Sequence, residues 1–330
     1  MIGVGILGAA GYTGGELLRL LLLHSEVDIR FAHSESSAGK PVTAVHEGLI
    51  GDTDLTFTDQ LPLDEVDVIF LCFGHGKSRQ WLSEHPLPPQ LKVIDLAQDF
   101  RIAAPDHDFV YGLPEIHREQ IRHCCHLANP GCFATCIQIG LLPLANAKLL
   151  RHDVAVNAIT GATGAGQRPS TTSHFAWRDN NLSVYKVFCH QHLHEIRQSL
   201  CELQGHLDID IDFIPYRGGF PRGIFCTEVV RFDGEEGSPT NPTLEQLETL
   251  YRQFYAKAPF THYTPTPLDL KQVVNTNKGI LHIDKFGSKA VITAIIDNLL
   301  KGAVGQAVQN MNLMFGLDET MGLKLKPSAF

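Results

Sequence analysis

The stretch Ile2-Gly3-Val4-Gly5-Ile6-Leu7-Gly8-Ala9-Ala10-Gly11-Tyr12-Thr13-Gly14 opens the chain and decides its fold class. The apolar run at its start predicts a strand, and residues 16–24 have the composition of a helix. The turn between them has the spacing Gly-x-x-Gly-x-x-Gly, in which Gly8 permits a tight turn, Gly11 lets the backbone approach a pyrophosphate, and Gly14 allows close helix–strand packing. The stretch therefore predicts a dinucleotide-binding unit, with a plain tight turn as the alternative.

The loop after the second predicted strand, residues 27–32, bears on the choice of cofactor. It contains Ser34, Glu35, Ser36 and Lys40. Small hydroxyls and a lysine suit the 2′-phosphate of NADP, whereas an acidic residue suits the ribose 2′-hydroxyl of NAD. The loop favours NADP, and Glu35 leaves NAD open.

Two continuous apolar runs, residues 66–73 and 91–97, predict parallel strands covered on both faces. Arg101 follows the second run and is expected at the carboxyl edge of the sheet, where such folds bind ligands. Its guanidinium can hold a phosphate or carboxylate there, or it can pair with Asp95 or Asp99. The alternation of strands and helices up to this part of the chain predicts a doubly wound α/β domain.

A second decisive turn is Asn129-Pro130-Gly131-Cys132. The apolar run of residues 133–142 predicts a buried helix that extends as far as Pro143. Cys132 is thus expected at a helix N-terminus, where free N–H groups and the helix dipole favour a thiolate. Cys132 is therefore a candidate nucleophile, and the alternative is a small buried apolar residue.

The composition limits the classes of protein. At 330 residues the chain is longer than one ordinary domain, which predicts two. No apolar run approaches the ~20 residues of a membrane span, and no basic signal region opens the chain, so we expect a cytoplasmic protein without a membrane partner. The net charge of −9 argues against a nucleic-acid partner. The eight cysteines lack a C-x-x-C pair, so we expect neither a disulfide framework nor a metal site.

The second half of the chain has a different pattern of predicted strands and helices. Several strands with few crossovers predict a mixed or antiparallel sheet. The glycine-rich residues 161–166 predict a loop over the substrate or a plain surface loop. Arg217 and Arg222 form a second possible anion site, and residues 299–315 predict a long last helix that starts at Asp297-Asn298.

Three histidines, His190, His192 and His194, occupy alternate positions. In an extended segment they share one face and can bind a metal. A helix that begins near His192 breaks this alternation. One of the histidines is then the better candidate for the proton partner of a catalytic thiol.

Several stretches, in the right order and spanning essentially the whole chain, resemble the N-acetyl-gamma-glutamyl-phosphate reductase family, which is related to aspartate-semialdehyde dehydrogenase. They are the glycine turn of residues 8–14, residues 95–101 and 111–115, Asn129-Pro130-Gly131-Cys132, His190-Gln191-His192-Leu193-His194-Glu195-Ile196, Ile296-Asp297-Asn298-Leu299-Leu300-Lys301-Gly302-Ala303, and residues 306–312. The resemblance implies a Rossmann-type doubly wound parallel sheet formed by residues 1–132 and 298–330. It also implies an α+β catalytic and dimerisation domain, residues 133–297, with a mixed or antiparallel sheet, in a homodimer or homotetramer.

The resemblance further implies an activity in arginine biosynthesis, the NADPH-dependent reduction of N-acetyl-L-glutamyl 5-phosphate to N-acetyl-L-glutamate 5-semialdehyde with release of phosphate. It makes Cys132 the nucleophile that forms a thioester and His192 the acid–base residue, with His190 close enough to be confused with it. The implied cofactor-binding residues are Gly8, Gly11, Tyr12, Thr13, Gly14, Ser34, Ser36 and Asn298. The implied substrate-binding residues are Arg101, Asn129, Glu195 and Arg168, and no metal is expected.

The sequence departs from the family pattern at a few positions. The family often has arginine where Glu35, Gln167 and Gln191 stand, and proline where His194 stands. Glu35 removes a positive charge beside the 2′-phosphate and so weakens the preference for NADP. Gln167 and Gln191 can shift the substrate's anion contacts to Arg168, Arg217 or Arg222. One alternative is a related reductase of a longer or carrier-linked acyl phosphate. Two others are a catalytically silent nucleotide-binding sensor and a histidine or cysteine metal protein.

Overall fold

The computed structural model describes residues 1–328, which form two compact units. Unit 1 consists of Met1–Pro130 and Ala303–Lys324, and unit 2 consists of Gly131–Gly302 and the described residues from 325 onward. The chain thus enters unit 2 one residue before Cys132 and leaves it after Gly302.

The strands of the described residues are β1 (Ile2–Leu7), β2 (Val27–His33), β3 (Phe57–Thr58), β4 (Val68–Leu71), β5 (Lys92–Asp95), β6 (Val110–Tyr111), β7 (His126–Ala128), β8 (Val154–Thr160), β9 (Ser183–Val184), β10 (Ile211–Arg217), β11 (Ile224–Arg231), β12 (Thr261–Tyr263), β13 (Gly279–Phe286) and β14 (Lys289–Ile296). The α-helices are α1 (Tyr12–Leu21), α2 (Ser78–Glu84), α3 (Pro114–His123), α4 (Cys132–Asn146), α5 (Phe175–Arg178), α6 (His192–Gln204), α7 (Leu244–Phe254) and α8 (Gly305–Met314).

Unit 1 is organised around a parallel sheet with the strand order β3-β2-β1-β4-β5-β7-β6. Every pairing in it is parallel, and the order reverses between β1 and β4, as in doubly wound folds. Strand β4 is buried along its whole length, as the continuous apolar run predicts for a sheet covered on both faces. Helix α8 packs against α1 and α3. The Rossmann-type sheet predicted from the sequence is therefore confirmed.

Unit 2 contains a mixed sheet with the order β12-β13-β14-β11-β8-β10-β9. The pairs β8–β10 and β12–β13 are parallel and the other pairs are antiparallel. The mixed sheet predicted for the second half is confirmed. Helix α4 packs against β11 and β14 and against α6, and its residues from Phe133 to Ala145 are all buried.

The prediction that Pro143 limits helix α4 is wrong, because the helix continues to Asn146. A proline inside a helix cannot donate to the carbonyl four residues earlier, which here belongs to Ile139. The hydroxyl of Tyr255, just after α7, donates to the Ile139 carbonyl oxygen at 2.6 Å. This hydrogen bond offsets the loss and lets the helix run through the proline.

The prediction of an uninterrupted last helix starting at Asp297-Asn298 is also wrong at its start. Residues Leu300–Val304 form a π turn, and the α-helix begins only at Gly305. The amide of Gly302 donates to the carbonyl of Asp297, five residues earlier, at 2.9 Å. Such widened turns are uncommon and recur at functional sites.

Candidate active site

The glycine turn of unit 1 has the geometry that a pyrophosphate requires. Gly8 adopts a left-handed conformation (φ +76°), and a Cβ there would lie 2.7 Å from the Cys72 carbonyl oxygen. A Cβ on Gly14 would lie 2.4 Å from the carbonyl oxygen of Ala9. Gly11 precedes the first residue of α1 and has no side chain to cover the helix N-terminus. The free amides and the helix dipole therefore remain available to phosphate.

The other predicted cofactor residues of unit 1 lie around this turn. Tyr12 opens α1 with 42% of its surface exposed. Thr13 hydrogen-bonds the thiol of Cys72, whose pKa burial raises to about 12. Ser34 follows β2, and its hydroxyl lies 3.5 Å from that of Ser36. These residues fit a nucleotide whose pyrophosphate rests on the α1 N-terminus.

Arg101 and Asn129 hold the end of the strand that leads toward Cys132. Arg101 is 5% exposed; its Nε donates to the Asn129 carbonyl oxygen and its Nη2 to that of Leu96, both at 2.8 Å. The side-chain nitrogen of Asn129 donates to the Ala303 carbonyl oxygen at 3.0 Å, and its side-chain oxygen accepts from the side-chain nitrogen of Asn310 at 3.2 Å. Both side chains predicted to contact substrate are thus engaged inside unit 1.

A buried carboxyl, Asp95, ends strand β5 in the same unit. One oxygen accepts from the Ser78 hydroxyl at 2.6 Å and from the Ala97 amide at 3.0 Å. The other is buried without a hydrogen-bond partner among residues 1–328. Burial raises the pKa of Asp95 from 3.8 to about 6.

Cys132 is the first residue of helix α4, as predicted, and is half-buried. Gly131 is the N-cap residue, with extended backbone (φ −71°, ψ 150°). Gly302 lies directly against Cys132, since a Cβ added to it would come 2.8 Å from the cysteine Cβ. The thiol therefore sits at the positive end of a helix that is buried from Phe133 to Ala145, an environment that favours the thiolate.

The histidine segment resolves into two buried histidines and one exposed histidine. Helix α6 begins at His192, so the alternation breaks as the helical reading predicts. His190 and His192 are 4% and 5% exposed, with ring centroids 4.5 Å apart, whereas His194 is exposed. Nδ1 of His190 accepts from the His192 amide at 3.2 Å, which places the proton of a neutral His190 on Nε2. Three histidines on one face are therefore not found in the described chain.

Glu195 connects the histidine helix to the cysteine turn. One carboxylate oxygen accepts from the Gly131 amide at 2.8 Å, and the other lies 3.9 Å from Nε2 of His192. Glu195 is 2% exposed. The carboxylate predicted to contact substrate is thus buried beside the residue that precedes Cys132.

The arginines considered as anion ligands differ in their surroundings. Arg222 is paired with Asp297, to whose carboxylate its Nε and Nη2 donate at 3.1 and 3.2 Å. Arg168 lies exposed in the loop after the glycine-rich segment. The guanidinium of Arg217 lies 4.6 Å above the ring of Tyr185, and its buried Nε has no hydrogen-bond partner within residues 1–328.

Tyr185 was not singled out from the sequence. Burial is the main cause that raises its pKa to about 12, and the negative charge of Cys132 adds to the effect while Arg217 opposes it. Its ring lies 5.8 Å from that of His190. Tyr185 therefore belongs to the surroundings of the thiol, and only its place directly before the histidine segment signals this in the sequence.

Asn298 lies in unit 2 and joins two loops. Its side-chain oxygen accepts from the Gly223 amide at 2.7 Å, and its amide donates to the Thr163 hydroxyl at 3.0 Å. The glycine-rich segment, whose residues Ala162–Ala165 form a 3₁₀ turn, is thus tied to the start of β11.

Comparison with known families assigns both parts of the chain. A family model described as "Semialdehyde dehydrogenase, NAD binding domain" matches residues 3–124, and one described as "Semialdehyde dehydrogenase, dimerisation domain" matches residues 132–298. Among solved structures, aspartate semialdehyde dehydrogenase II from Vibrio cholerae is similar in fold, with a TM-score of 0.74 and 18% identity over 96% of this chain and 98% of that one. Fold, glycine turn and cysteine site together define an NAD(P)-binding oxidoreductase of the semialdehyde dehydrogenase class.

Curated relatives narrow this class. N-acetyl-gamma-glutamyl-phosphate reductases from Phocaeicola vulgatus and Bacteroides fragilis are each 58% identical over 330 residues, covering 100% of both chains. The reductase of that name from Parabacteroides distasonis is 54% identical with the same coverage. The chain belongs to the N-acetyl-gamma-glutamyl-phosphate reductase family. Its dimerisation domain indicates a homo-oligomer, and the described residues contain no helix long and apolar enough to cross a bilayer.

Proposed function

We propose that the protein reduces N-acetyl-L-glutamyl 5-phosphate with NADPH to N-acetyl-L-glutamate 5-semialdehyde and phosphate, as a step of arginine biosynthesis. The observation that carries this proposal is Cys132 at the start of a buried helix, with Glu195 bonded to the preceding amide and His192 beside that carboxylate. The full-length identity to reductases of this name supports the substrate.

The chemistry follows from these groups. The Cys132 thiolate attacks the acyl carbon, a C–S bond forms, and the C–O bond to phosphate breaks, which releases phosphate and leaves a thioester. NADPH, when bound, supplies a hydride to that carbon. The C–S bond then breaks, which releases the aldehyde and regenerates the thiolate. His192 holds the proton that neutralises the developing oxyanion and later takes it back.

Glu195 positions the catalytic groups in this proposal instead of contacting substrate. Its carboxylate lies toward Nε2 of His192 and accepts from Gly131, so the histidine and the cysteine turn share one anchor. A carboxylate near imidazole also stabilises the protonated ring. Because Nδ1 of His190 accepts a hydrogen bond from the His192 backbone amide, we assign His192 as the acid–base residue and His190 as its support.

Arg217 is the proposed cation for the substrate's α-carboxylate. Its guanidinium lies over the ring of Tyr185, whose pKa is raised in part by the negative charge of Cys132. A buried guanidinium nitrogen without a partner is costly unless a ligand completes its hydrogen bonds. Arg222 is already paired with Asp297, so its role is to hold the loop, and Arg168 remains a predicted contact.

Unit 1, which contains the last helix, is the proposed cofactor domain, predicted as residues 1–132 and 298–330. Residues 133–297 are the proposed catalytic domain. Gly8, Gly11 and Gly14 receive the pyrophosphate, with Tyr12 and Thr13 beside it.

Ser34 and Ser36 receive the 2′-phosphate of NADP. The exposed Glu35 is no obstacle to this phosphate because its side chain can turn to solvent. Arg101, Asn129 and Asn298 keep the surrounding loops in place. The protein acts in the cytoplasm as a homodimer or homotetramer.

The reverse reaction tests this function. Wild type and Cys132→Ser are assayed with N-acetylglutamate semialdehyde, phosphate and NADP⁺. We expect reduced cofactor only with wild type and only when phosphate is present. Turnover by the serine variant at the wild-type rate would contradict the covalent route, and an inactive, cofactor-binding wild type would contradict the substrate.

A further inference from the structure

We propose that Gly302, in the π turn before α8, is a positioning residue that fixes Cys132 at the start of α4 and tolerates no side chain. The inference rests on the proposed role of Cys132 as the nucleophile. It concerns two residues 170 positions apart in the sequence, 132 and 302, that meet inside unit 2.

The contact between the two residues involves atoms that cannot move aside. A Cβ on Gly302 would lie 2.8 Å from the Cβ of Cys132, 3.2 Å from its Cα and 3.2 Å from Cδ1 of Ile296. The first two atoms belong to the helix itself and not to the end of a flexible side chain. Any side chain at 302 must therefore displace either the first residue of α4 or the π turn.

The π turn is anchored independently of Cys132. Asp297, which is fully buried, accepts from the amides of Leu299 at 2.8 Å and Leu300 at 3.1 Å. It also accepts from the Asn275 amide at 2.7 Å and from the Arg222 guanidinium. A turn held by this many hydrogen bonds to one carboxylate does not yield readily to a new methyl group.

Cys132 is also anchored through the residues on either side of it in the chain. The preceding amide, that of Gly131, donates to Glu195, and the helix that follows is buried from Phe133 to Ala145. Close-packed interiors transmit a local displacement instead of absorbing it. A methyl group at position 302 is therefore expected to move the thiol away from His192 and from its substrate.

The requirement at position 302 is for space and not for backbone freedom. Gly302 is absent from the described glycines with positive φ, so alanine can adopt its conformation and has the higher helix propensity. Gly302→Ala thus isolates the steric contact. Gly48→Ala is the matched control, since Gly48 is exposed, has ordinary φ, and has nothing within 4 Å of an added Cβ.

The test measures three quantities on the full-length variants. They are kcat and KM in the reverse reaction, the pH profile of Cys132 alkylation by iodoacetamide, and the melting temperature. We expect Gly302→Ala to lose about tenfold to a hundredfold in kcat, with KM for phosphate changed less than about twofold and the alkylation profile shifted. Gly48→Ala is expected to match wild type. A Gly302→Ala enzyme with wild-type kcat and alkylation profile overturns the proposal.

A double-mutant cycle covers the case in which Gly302→Ala fails to fold. Cys132→Gly removes the Cβ that the new methyl would strike, so Cys132→Gly/Gly302→Ala is expected to melt near Cys132→Gly alone. If Gly302→Ala folds, equal losses of melting temperature in the cysteine and glycine backgrounds would overturn the proposal. If Gly302→Ala does not fold, a double variant that also fails to fold would overturn it. Alkylation and melting need no substrate, so this outcome is distinct from a failure of the proposed reductase activity.

Discussion

Asp95→Asn is expected to stabilise unit 1 at neutral pH and to stabilise it much less in acid. Asp95 is fully buried, and only one of its oxygens is hydrogen-bonded among the described residues. The native state therefore favours the protonated carboxyl. Asparagine is uncharged at every pH and has nearly the same shape, so it reproduces the protonated form.

The magnitude follows from the shift of the Asp95 pKa from 3.8 to about 6. A shift of about 2.2 units corresponds to ~3 kcal/mol at ~1.36 kcal/mol per unit. The pKa of Asp95 is raised in the folded state. Its contribution to the free energy of unfolding is therefore fully present below pH 3.8 and is lost as the pH rises through about 6. The asparagine variant should therefore exceed wild type by about 1 kcal/mol at pH 4.5 and ~3 kcal/mol at pH 8.

Urea denaturation at the two pH values measures this difference. Trp81 lies in α2, whose first residue, Ser78, donates to Asp95. In a Trp177→Phe background it is the sole tryptophan, since the chain has two, and it reports on unit 1. Asp52→Asn, which removes an exposed carboxyl from the same unit, is the control. A stability gap for Asp95→Asn that is equal at pH 4.5 and pH 8 would refute the reasoning.

The other predictions concern unit 2. Burial raises the pKa of Glu228 well above its usual value, so stability falls as the pH rises above about 4.5. Glu228→Gln should gain stability relative to wild type between pH 5 and pH 8, and an unchanged difference in urea denaturation would contradict this. Arg217→Met should raise KM for the semialdehyde about tenfold to a hundredfold, the usual range for a lost charged hydrogen bond, while Arg217→Lys should recover part of it. Equal KM for both variants and wild type would exclude the carboxylate contact.

The parts of the fold that depend on neighbouring residues could be predicted from the sequence. The strand, glycine turn and helix at the start of unit 1 succeed one another within a short segment, and local sterics dictate them. The position of Cys132 at a helix N-terminus follows in the same way from Asn129-Pro130-Gly131. The mixed sheet of unit 2 was predictable because few of its strands are separated by the crossover helices that parallel sheets require.

The errors arose where a distant residue supplies the missing hydrogen bond. Helix α4 continues through Pro143 because the Tyr255 hydroxyl donates a hydrogen bond to the carbonyl oxygen of Ile139. No local sequence pattern contains that information. The π turn likewise depends on Asp297, which forms an ion pair with Arg222. Arg222 lies just before β11, far from Asp297 in the sequence. The burial of Glu195 beside Gly131 is likewise a tertiary property that no local pattern contains.

The position of the nucleophile is thus a property of unit 2 as a whole. Helix α4 is held at its first residue by Gly302 and Glu195, in its middle by the carboxyl of Glu228, which lies where a Cβ of Gly140 would be, and farther along by Tyr255. A helix fixed at three levels cannot adjust to a change at one of them, because close packing leaves no free volume. Cys132 therefore keeps its place relative to His192 without any direct bond between the two side chains being required.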